Sequence, residues 1–393
     1  GRKRLFLVTL GWYATFTVLT AFSWNFASFA IFRLLCGMGI GGEYAAINST
    51  IDELIPSRHR GWVDLAVNGS WWFGTMLGSG ASIVLLNPAA VDQRLGWRLA
   101  FGLGAILALV VLALRRALPE SPRWLLIRGR LAEAEAIVRN IETRVPAVDV
   151  PIGTPQENAR IAFVERQATT FADVARTMLL TYPRRTVLAL SLMVSQAFLY
   201  NAIFFTEALV LSTFFGVDAS NVGYYIFPFA LGNLLGPILL GRAFDTIGRR
   251  AMIATTYLVS GVLLGFVAVL FAHHLLDATT VTLAWSVVFF FASAGASSAY
   301  LTVSEIFPLE IRASAIALVY AIGTLVGGAG APYLFGLLVA SKSAEAVALG
   351  YAVGAVAMVA GGVVALLLGV DAERKMLEAI APPLAALSAH PEV

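Results

Sequence analysis

The sequence predicts an all-α polytopic membrane protein, and three observations lead there. Of the 393 residues, 59% are hydrophobic and only 13% charged, with a mean hydropathy of +0.80. A chain of this length in water has too small an interior to hide that much apolar surface, so the solvent it expects is lipid. Apolar stretches near the ~20 residues that a bilayer-spanning helix needs recur from one end of the chain to the other. The third observation is a repeat: a polar motif at the end of one apolar stretch returns far downstream at the end of another.

Taken in order, the apolar stretches give ten spanning helices, over 4–22, 25–51, 61–87, 97–117, 186–213, 221–241, 250–271, 279–303, 313–339 and 346–370. Residues 1–117 form a first bundle of four helices, and 186–370 a second of six. Between them, 118–185 is polar and contains RLAEAEAIVRNIE, whose apolar residues recur at helical spacing and predict a short amphipathic helix. Residues 371–393 are a tail. Lys and Arg set the orientation. One set of loops carries Arg2, Lys3, Arg4, Arg58, Arg60, the arginine-rich linker, Arg242, Arg249, Arg250, Arg312, Arg374 and Lys375. The alternate set carries little beyond Arg94, Arg98 and Lys342, so both termini and the linker are assigned to the cytoplasm.

Composition also limits the chemistry. The lone Cys36 leaves no intramolecular disulfide and no cysteine-rich metal site. His59, His273, His274 and His390 lie in loops or the tail with no nucleophile beside them, so no enzyme, metal or cofactor is expected. A net charge of +3 on so apolar a chain orients it in a membrane and does not point to nucleic acid.

The repeat organises the rest. DELIPSRHRG places Glu53, Pro56 and Arg60 in the pattern E-x-x-P-x-x-x-R, and SEIFPLEIRA places Glu305, Pro308 and Arg312 in the same pattern 252 residues later. GRAFDTIGRR holds Asp245, Gly248, Arg249 and Arg250 in a turn between two spans, and its G-R-R runs into an apolar helix as the opening G-R-K-R does, 247 residues earlier. Two similar halves follow. In the second, two helices precede that turn, so the repeat predicts a twelve-helix design of which ten are present here; a chain that works with ten helices is the alternative.

These residues resemble the major facilitator superfamily of secondary transporters, within it the sugar-porter and general-substrate branch. The resemblance rests on the two G-R-[KR] loops, RLLCGMGIGGEY on the second helix, PESPRWLL at 119–126 and the paired E-x-x-P-x-x-x-R ends. It implies two pseudo-symmetric bundles rocking about a site near the bilayer midplane, in a bacterial inner membrane, as a monomer. It also implies a cytoplasmic gate built from Arg2, Arg4, Glu53, Arg60, Glu120, Arg123, Asp245, Arg249, Arg250, Glu305 and Arg312. Here Glu53 and Glu305 would reach the basic turns, and Arg60 would reach Glu120. The other reading of each charge is a solvated loop residue that gains little from pairing.

Polar groups inside spanning helices are costly in lipid and usually face a cavity. Arg33 lies about eight residues into its helix, where it serves proton coupling or reaches back to headgroups. Glu43 falls mid-helix among glycines and alanines, as a carboxyl that exchanges a proton or as a helix-packing group. Asp64 and Glu207 sit near helix ends and read as solvated. By resemblance, Gln196 and Asn201 of SQAFLYNAIFFTE stand at sugar-contacting amide positions, though Ser195 and Leu199 depart from the pattern. Asn68 takes another such amide position, Tyr300 replaces a tryptophan, and the closing PETKG gives way to GVDAERKML. Trp71, Trp72, Tyr200, Tyr224 and Tyr225 line the path or anchor the helices.

The expected function is proton-coupled symport of a small polar solute by alternating access, with a sugar or polyol favoured. Organic-acid or phosphate symport is the alternative within the superfamily, and a transporter-like nutrient receptor is the alternative of another class.

Overall fold

The structure, a computed structural model, describes residues 2–115, 119–127, 129–144 and 170–384. No strand occurs among them. The helices are α1 (Arg2–Ala21), α2 (Phe26–Leu54), α3 (Arg60–Gly69), α4 (Trp71–Leu85), α5 (Gln93–Arg115), α6 (Pro122–Ile127), α7 (Leu131–Arg144) and α8 (Phe171–Arg176) in the first part of the chain. The second part holds α9 (Pro183–Ile203), α10 (Glu207–Phe215), α11 (Val222–Thr246), α12 (Arg249–Ala272), α13 (Ala278–Ile306), α14 (Leu309–Gly323), α15 (Gly330–Ala340), α16 (Ala344–Leu368) and the short α17 (Leu377–Ile380).

Local chemistry sets the ends. Asn25 opens α2 and Asp277 opens α13, each in a capping box with the residue three positions on, which satisfies two of the orphan N–H groups of the first turn. Pro56 and Pro308 follow the ends of α2 and α13, where a chain that cannot donate an N–H leaves the helix. Gly248 precedes α12 with φ +122°, a backbone conformation that side-chain-bearing residues rarely adopt, so the G-R-R turn requires its glycine.

Three predicted spans are interrupted. The stretch predicted over 61–87 is α3 and α4 joined at Ser70, and that over 186–213 breaks between Ile203 and Glu207 into α9 and α10. The stretch over 313–339 passes through a π-helical turn, Thr324–Ala329, between α14 and α15. Gly327 and Gly328 in that turn sit directly against α9: a β-carbon on Gly328 would stand 3.0 Å from the Asn201 amide, so the π turn approaches α9 through its missing side chains. The amphipathic helix expected in the linker is α7.

Among the described residues, seven helical stretches are long and apolar enough to cross a membrane by length and composition, and Phe6–Ala21 and Phe26–Gly41 are shorter apolar helices. Side chains such as Phe22, Phe26, Leu34, Val262, Phe266, Leu349, Val356 and Leu367 are exposed around the outside. An apolar belt of that extent is untenable in water and suits acyl chains. The largest core cluster runs through α9 and α11 to α16, where Trp285, Tyr257, Tyr351, Phe229, Phe244, Phe289 and Phe335 are fully buried. In the first half, α1 packs against α2 and α5. The halves meet where α3 and α4 lie on α11, α3 on α13, and α2 on α14.

Candidate functional site

A cavity of about 250 Å³ opens between the halves. Each helix supplies the residues that one of its faces must present. From α9 and its C-terminal cap come Gln196, Ala197, Tyr200, Asn201 and Phe204, and from α13 come Ser293, Ala296, Ser297 and Tyr300, both sets at three- and four-residue spacing. Ile40 and Tyr44, one turn apart, come from α2, and Asn68, Trp71 and Trp72 come from the α3–α4 corner. Phe205, Tyr320 and Thr324 complete the wall, so two of the three helix interruptions border the cavity and the third begins at Thr324. Irregular backbone at membrane depth is tolerated where protein or a cavity surrounds it.

All four residues expected to contact solute, Asn68, Gln196, Asn201 and Tyr300, line this one cavity. Trp71, Trp72 and Tyr200 join them; Tyr224 and Tyr225 are not in the lining. Sequence reasoning missed Tyr44, Phe204, Ser293, Ser297, Tyr320 and Thr324. Helical spacing from Tyr200 and Tyr300 is the signal that could have found Phe204, Ser293 and Ser297; nothing local in the sequence marks Tyr44, Tyr320 or Thr324.

Two aromatic clusters cross between the halves beside the cavity. Tyr44 stacks on Tyr300 with ring centroids 4.8 Å apart at 12°, and on Tyr320 at 5.2 Å and 28°. Trp72 packs against Phe204 at 5.0 Å, and against Tyr200 and Phe229 at 5.7 Å each. Each amide nitrogen of the lining makes at least one bond within the protein. Asn68 Nδ2 donates to Asn48 Oδ1 at 2.9 Å and to Asp64 O and Oδ2 at 3.0 and 3.1 Å. Asn201 Nδ2 donates to Ala197 O at 2.8 Å, and Gln196 Nε2 to Met193 Sδ at 3.0 Å.

One turn beyond Asp64 lies a charged cluster. Glu305 accepts from Arg60 Nε at 2.7 Å and from Arg249 Nε and Nη2, each at 3.1 Å. Arg249 Nη1 donates to Asp245 Oδ1 at 3.0 Å. The Asp245 carboxylate accepts from the backbone N–H of Gly61 at 3.1 Å and of Trp62 at 2.8 Å, the free donors of the first turn of α3. Arg60, Arg249 and Glu305 are each no more than 2% exposed. Arg60 and the start of α3 belong to the first half, Glu305 and Asp245 to the second, so these bonds tie the halves together. Gly61 lets them meet: a β-carbon there would stand 2.7 Å from both Arg249 Cζ and Asp245 Oδ1.

The remaining gate candidates fall in different places. Arg312 is buried and donates to Phe307 O at 3.3 Å. Arg250 is exposed and donates to Leu366 O at 2.7 Å, at the end of α16. Glu120 accepts from Ser121 N at 3.3 Å. The side chains of Arg2, Arg4, Glu53 and Arg123 lie outside the described residues.

Of the two proton-coupling candidates, neither lines the cavity. Glu43 is half-buried on α2 next to the cavity residue Tyr44, and Arg33 is exposed, its guanidinium 5.6 Å from the Phe101 ring and 3.7 Å from Cys36 Sγ. The expectation that Asp64 and Glu207 are solvated is corrected. Asp64 is fully buried beneath Asn68, and Glu207 is 1% exposed at the start of α10. A position near a helix end does not imply solvent when the helix is broken inside the protein.

The chain matches the family model described as "Sugar (and other) transporter" over residues 1–381. It is 27% identical over 390 residues to the niacin transporter NiaP of Acinetobacter baylyi, covering 97% of this chain and 81% of that one. It is also 27% identical to myo-inositol transporter 2 of Cryptococcus neoformans over 341 residues, covering 81% of this chain and 60% of that one. Among solved structures, the proton:xylose symporter XylE bound to 6-bromo-6-deoxy-D-glucose superposes with TM-score 0.73 at 20% identity, covering 97% of this chain and 82% of that one. The human organic anion transporter MFSD10 gives TM-score 0.62 at 16% identity, covering 93% of this chain and 77% of that one. The chain therefore belongs to the sugar (and other) transporter family, membrane transporters with the major facilitator superfamily fold.

Proposed function

We propose that this protein is a secondary transporter that moves a small uncharged polar metabolite across the membrane by alternating access, coupled to protons. The observation that carries the reading is a central cavity with, at one end, a buried ion pair and backbone hydrogen bonds that run between the two halves. Loop charge assigns that end to the cytoplasm. In this reading solute enters from the outside, and the Arg60–Glu305 pair and the Asp245 bonds to α3 part when the inward side opens. The sugar and polyol class is uncharged, as the lining requires. No Arg, Lys, His, Asp or Glu lines the cavity among the described residues, which counts against an organic acid or phosphate held there by a cation.

Proton coupling is assigned to Glu43, beside Tyr44. Arg33 stands ten residues earlier on the same helix, about 15 Å along its axis, too far to pair with Glu43 directly. Asp64 is a second carboxyl for this role, because its bond to Asn68 reaches the cavity wall. Reconstituted protein should show saturable counterflow of labelled solute in proteoliposomes, accelerated by an inward proton gradient. Glu43→Gln should keep counterflow and lose gradient-driven accumulation. Saturable binding without any exchange would support a receptor instead. Uptake indifferent to the gradient would reduce the reading to facilitated diffusion.

A further inference from the structure

Asp64, Asp245 and Glu305 are buried with donors aimed at their carboxylates. Glu207 is buried as deeply, at 1% exposure, and neither of its carboxyl oxygens has a hydrogen-bond partner. It opens α10, yet it accepts from none of the free N–H groups of that first turn. Two further buried polar atoms are in the same condition, Tyr351 Oη on α16 and Trp285 Nε1 on α13, and their rings meet edge to face at 6.1 Å. Tyr351 lies close enough to Glu207 for the carboxylate charge to act on its hydroxyl. Phe271 and Phe335 pack on Tyr351 at 5.5 and 5.6 Å, so the surroundings are otherwise ring carbon. No cation offsets the acid among the described residues. At this end of the helices α11 carries Tyr224 and Tyr225, α15 carries Tyr333 and α16 carries Tyr351, of which only Tyr351 is buried. Asp218, His273, His274, Asp277, Lys342 and Glu345, at the same end, are exposed. A carboxylate deprived of water, cation and donor at once is far costlier than the neutral acid.

We infer that Glu207 is a second proton-binding site, in the second half and outside the central cavity, that carries a proton while α10 is docked and releases it when α10 lifts into water. Its place in a coupling cycle rests on the transporter reading above. The break between α9 and α10 supplies the pivot: Phe204 and Phe205 line the cavity, and Glu207 begins the helix beyond them. Loop charge puts that helix on the outer side. Each docking of α10 then takes one proton from the outer solution, turning the carboxylate into the acid, and each lifting returns it. Rising outer pH therefore opposes docking, by up to about tenfold per pH unit.

Two readouts on the full chain test this without any solute. In detergent at neutral pH, the infrared spectrum should contain the C=O stretch of a protonated carboxyl that disappears in Glu207→Gln. For the second, Val210→Cys, fully buried one turn along α10, is labelled in right-side-out vesicles with a membrane-impermeant maleimide, in a Cys36→Ser background. Dividing the labelling rate with Glu207 present by the rate in Glu207→Gln at the same pH cancels the pH dependence of the reagent. That ratio should rise by at least about fivefold between roughly pH 6 and pH 8. Glu207→Leu, which leaves the core apolar, should behave as Glu207→Gln does and so separates loss of charge from loss of shape. A ratio that stays constant would overturn the inference. So would a spectrum that loses no protonated-carboxyl band, because Glu207 would then be an ionised group held by water. Either failure beside intact counterflow in proteoliposomes would leave the transporter reading standing. Counterflow absent for every solute tried would remove that reading, and the coupling role of Glu207 with it.

Discussion

Replacing Glu305 by Gln should open the cytoplasmic side of the cavity. Glu305 is 1% exposed and answers two guanidinium groups, Arg60 at 2.7 Å and Arg249 through two bonds of 3.1 Å. Arg249 keeps a partner after the change, since Asp245 holds it at 3.0 Å. Arg60 loses its carboxylate partner, which a neutral amide oxygen replaces beside Lys375 O at 3.2 Å, while its charge stays buried between the halves. Breaking a buried pair by removing one partner costs about 3–5 kcal/mol. Here that cost falls on the closed state alone, because parting the halves returns Arg60 to water. The closed-to-open ratio should therefore drop by roughly two to four powers of ten. To read it, Ser297→Cys on the cavity wall is labelled with a membrane-impermeant maleimide in inside-out vesicles, in a Cys36→Ser background. Glu305→Gln should raise the labelling rate at least tenfold, and Arg250→Ala, an exposed residue that donates to Leu366 O, should leave it unchanged. Unchanged labelling in Glu305→Gln, with an unchanged melting temperature, would falsify the assignment of this cluster as a closure.

Three further outcomes follow from the same geometry. Gly61→Ala should mimic the Glu305 variant in the labelling assay, because its β-carbon would stand within 2.7 Å of both Arg249 and Asp245; Trp62→Phe, whose backbone N–H still reaches Asp245, should not. Asn68→Leu should abolish solute exchange and lower the melting temperature, since it strips a donor from buried Asp64 and Asn48 at once. Hydrogen bonds from the Thr280 backbone N–H and hydroxyl hold the Asp277 carboxyl below its ordinary value of 3.8. A depressed carboxylate stabilises the fold above its unfolded pKa and loses that contribution as pH falls through the folded one. The melting-temperature advantage of the native protein over Asp277→Asn should thus be constant from pH 7 to about pH 4 and shrink below it.

How much of this could be read from the sequence depended on which physical signal was local. Helix number and rough limits follow from apolar length alone, and α7 followed from its periodicity. The interruptions did not, because Ser70, the stretch from Phe204 to Thr206, and the turn from Thr324 carry no proline and keep their apolar character. A break that tertiary packing stabilises leaves little trace in hydropathy. Asn68, Gln196, Asn201 and Tyr300 were legible by resemblance, and all four reach one cavity. The bond from Arg60 to Glu305, 245 residues away, crosses the halves and was not expected. No spacing rule within one half announces a contact made only when two halves dock. Glu207 shows the same limit from the other side: its place near a helix end read as solvent, and the packing of α10 buried it.

The repeat explains why the charged cluster has two kinds of bond with two different jobs. Arg60 ends the first copy of E-x-x-P-x-x-x-R, and Glu305 begins the second. A bond within one half survives any rigid rocking of the halves, while a bond between them must break for the cavity to open inward. Arg249–Glu305 and Arg249–Asp245 lie wholly in the second half and hold α11, α12 and α13 together at their ends. Arg60–Glu305 and the α3 N–H bonds to Asp245 cross between halves. The two arginines should therefore fail differently. Arg60→Ala leaves Glu305 paired with Arg249, so the melting temperature should change little while cytoplasmic labelling of Ser297→Cys rises. Arg249→Ala leaves Glu305 and Asp245 buried with one cation between them, and the second half itself should loosen, with a fall of several degrees in melting temperature. Equal effects of both variants on stability and on labelling would mean that the cluster is a single structural knot and that closure lies elsewhere in the fold.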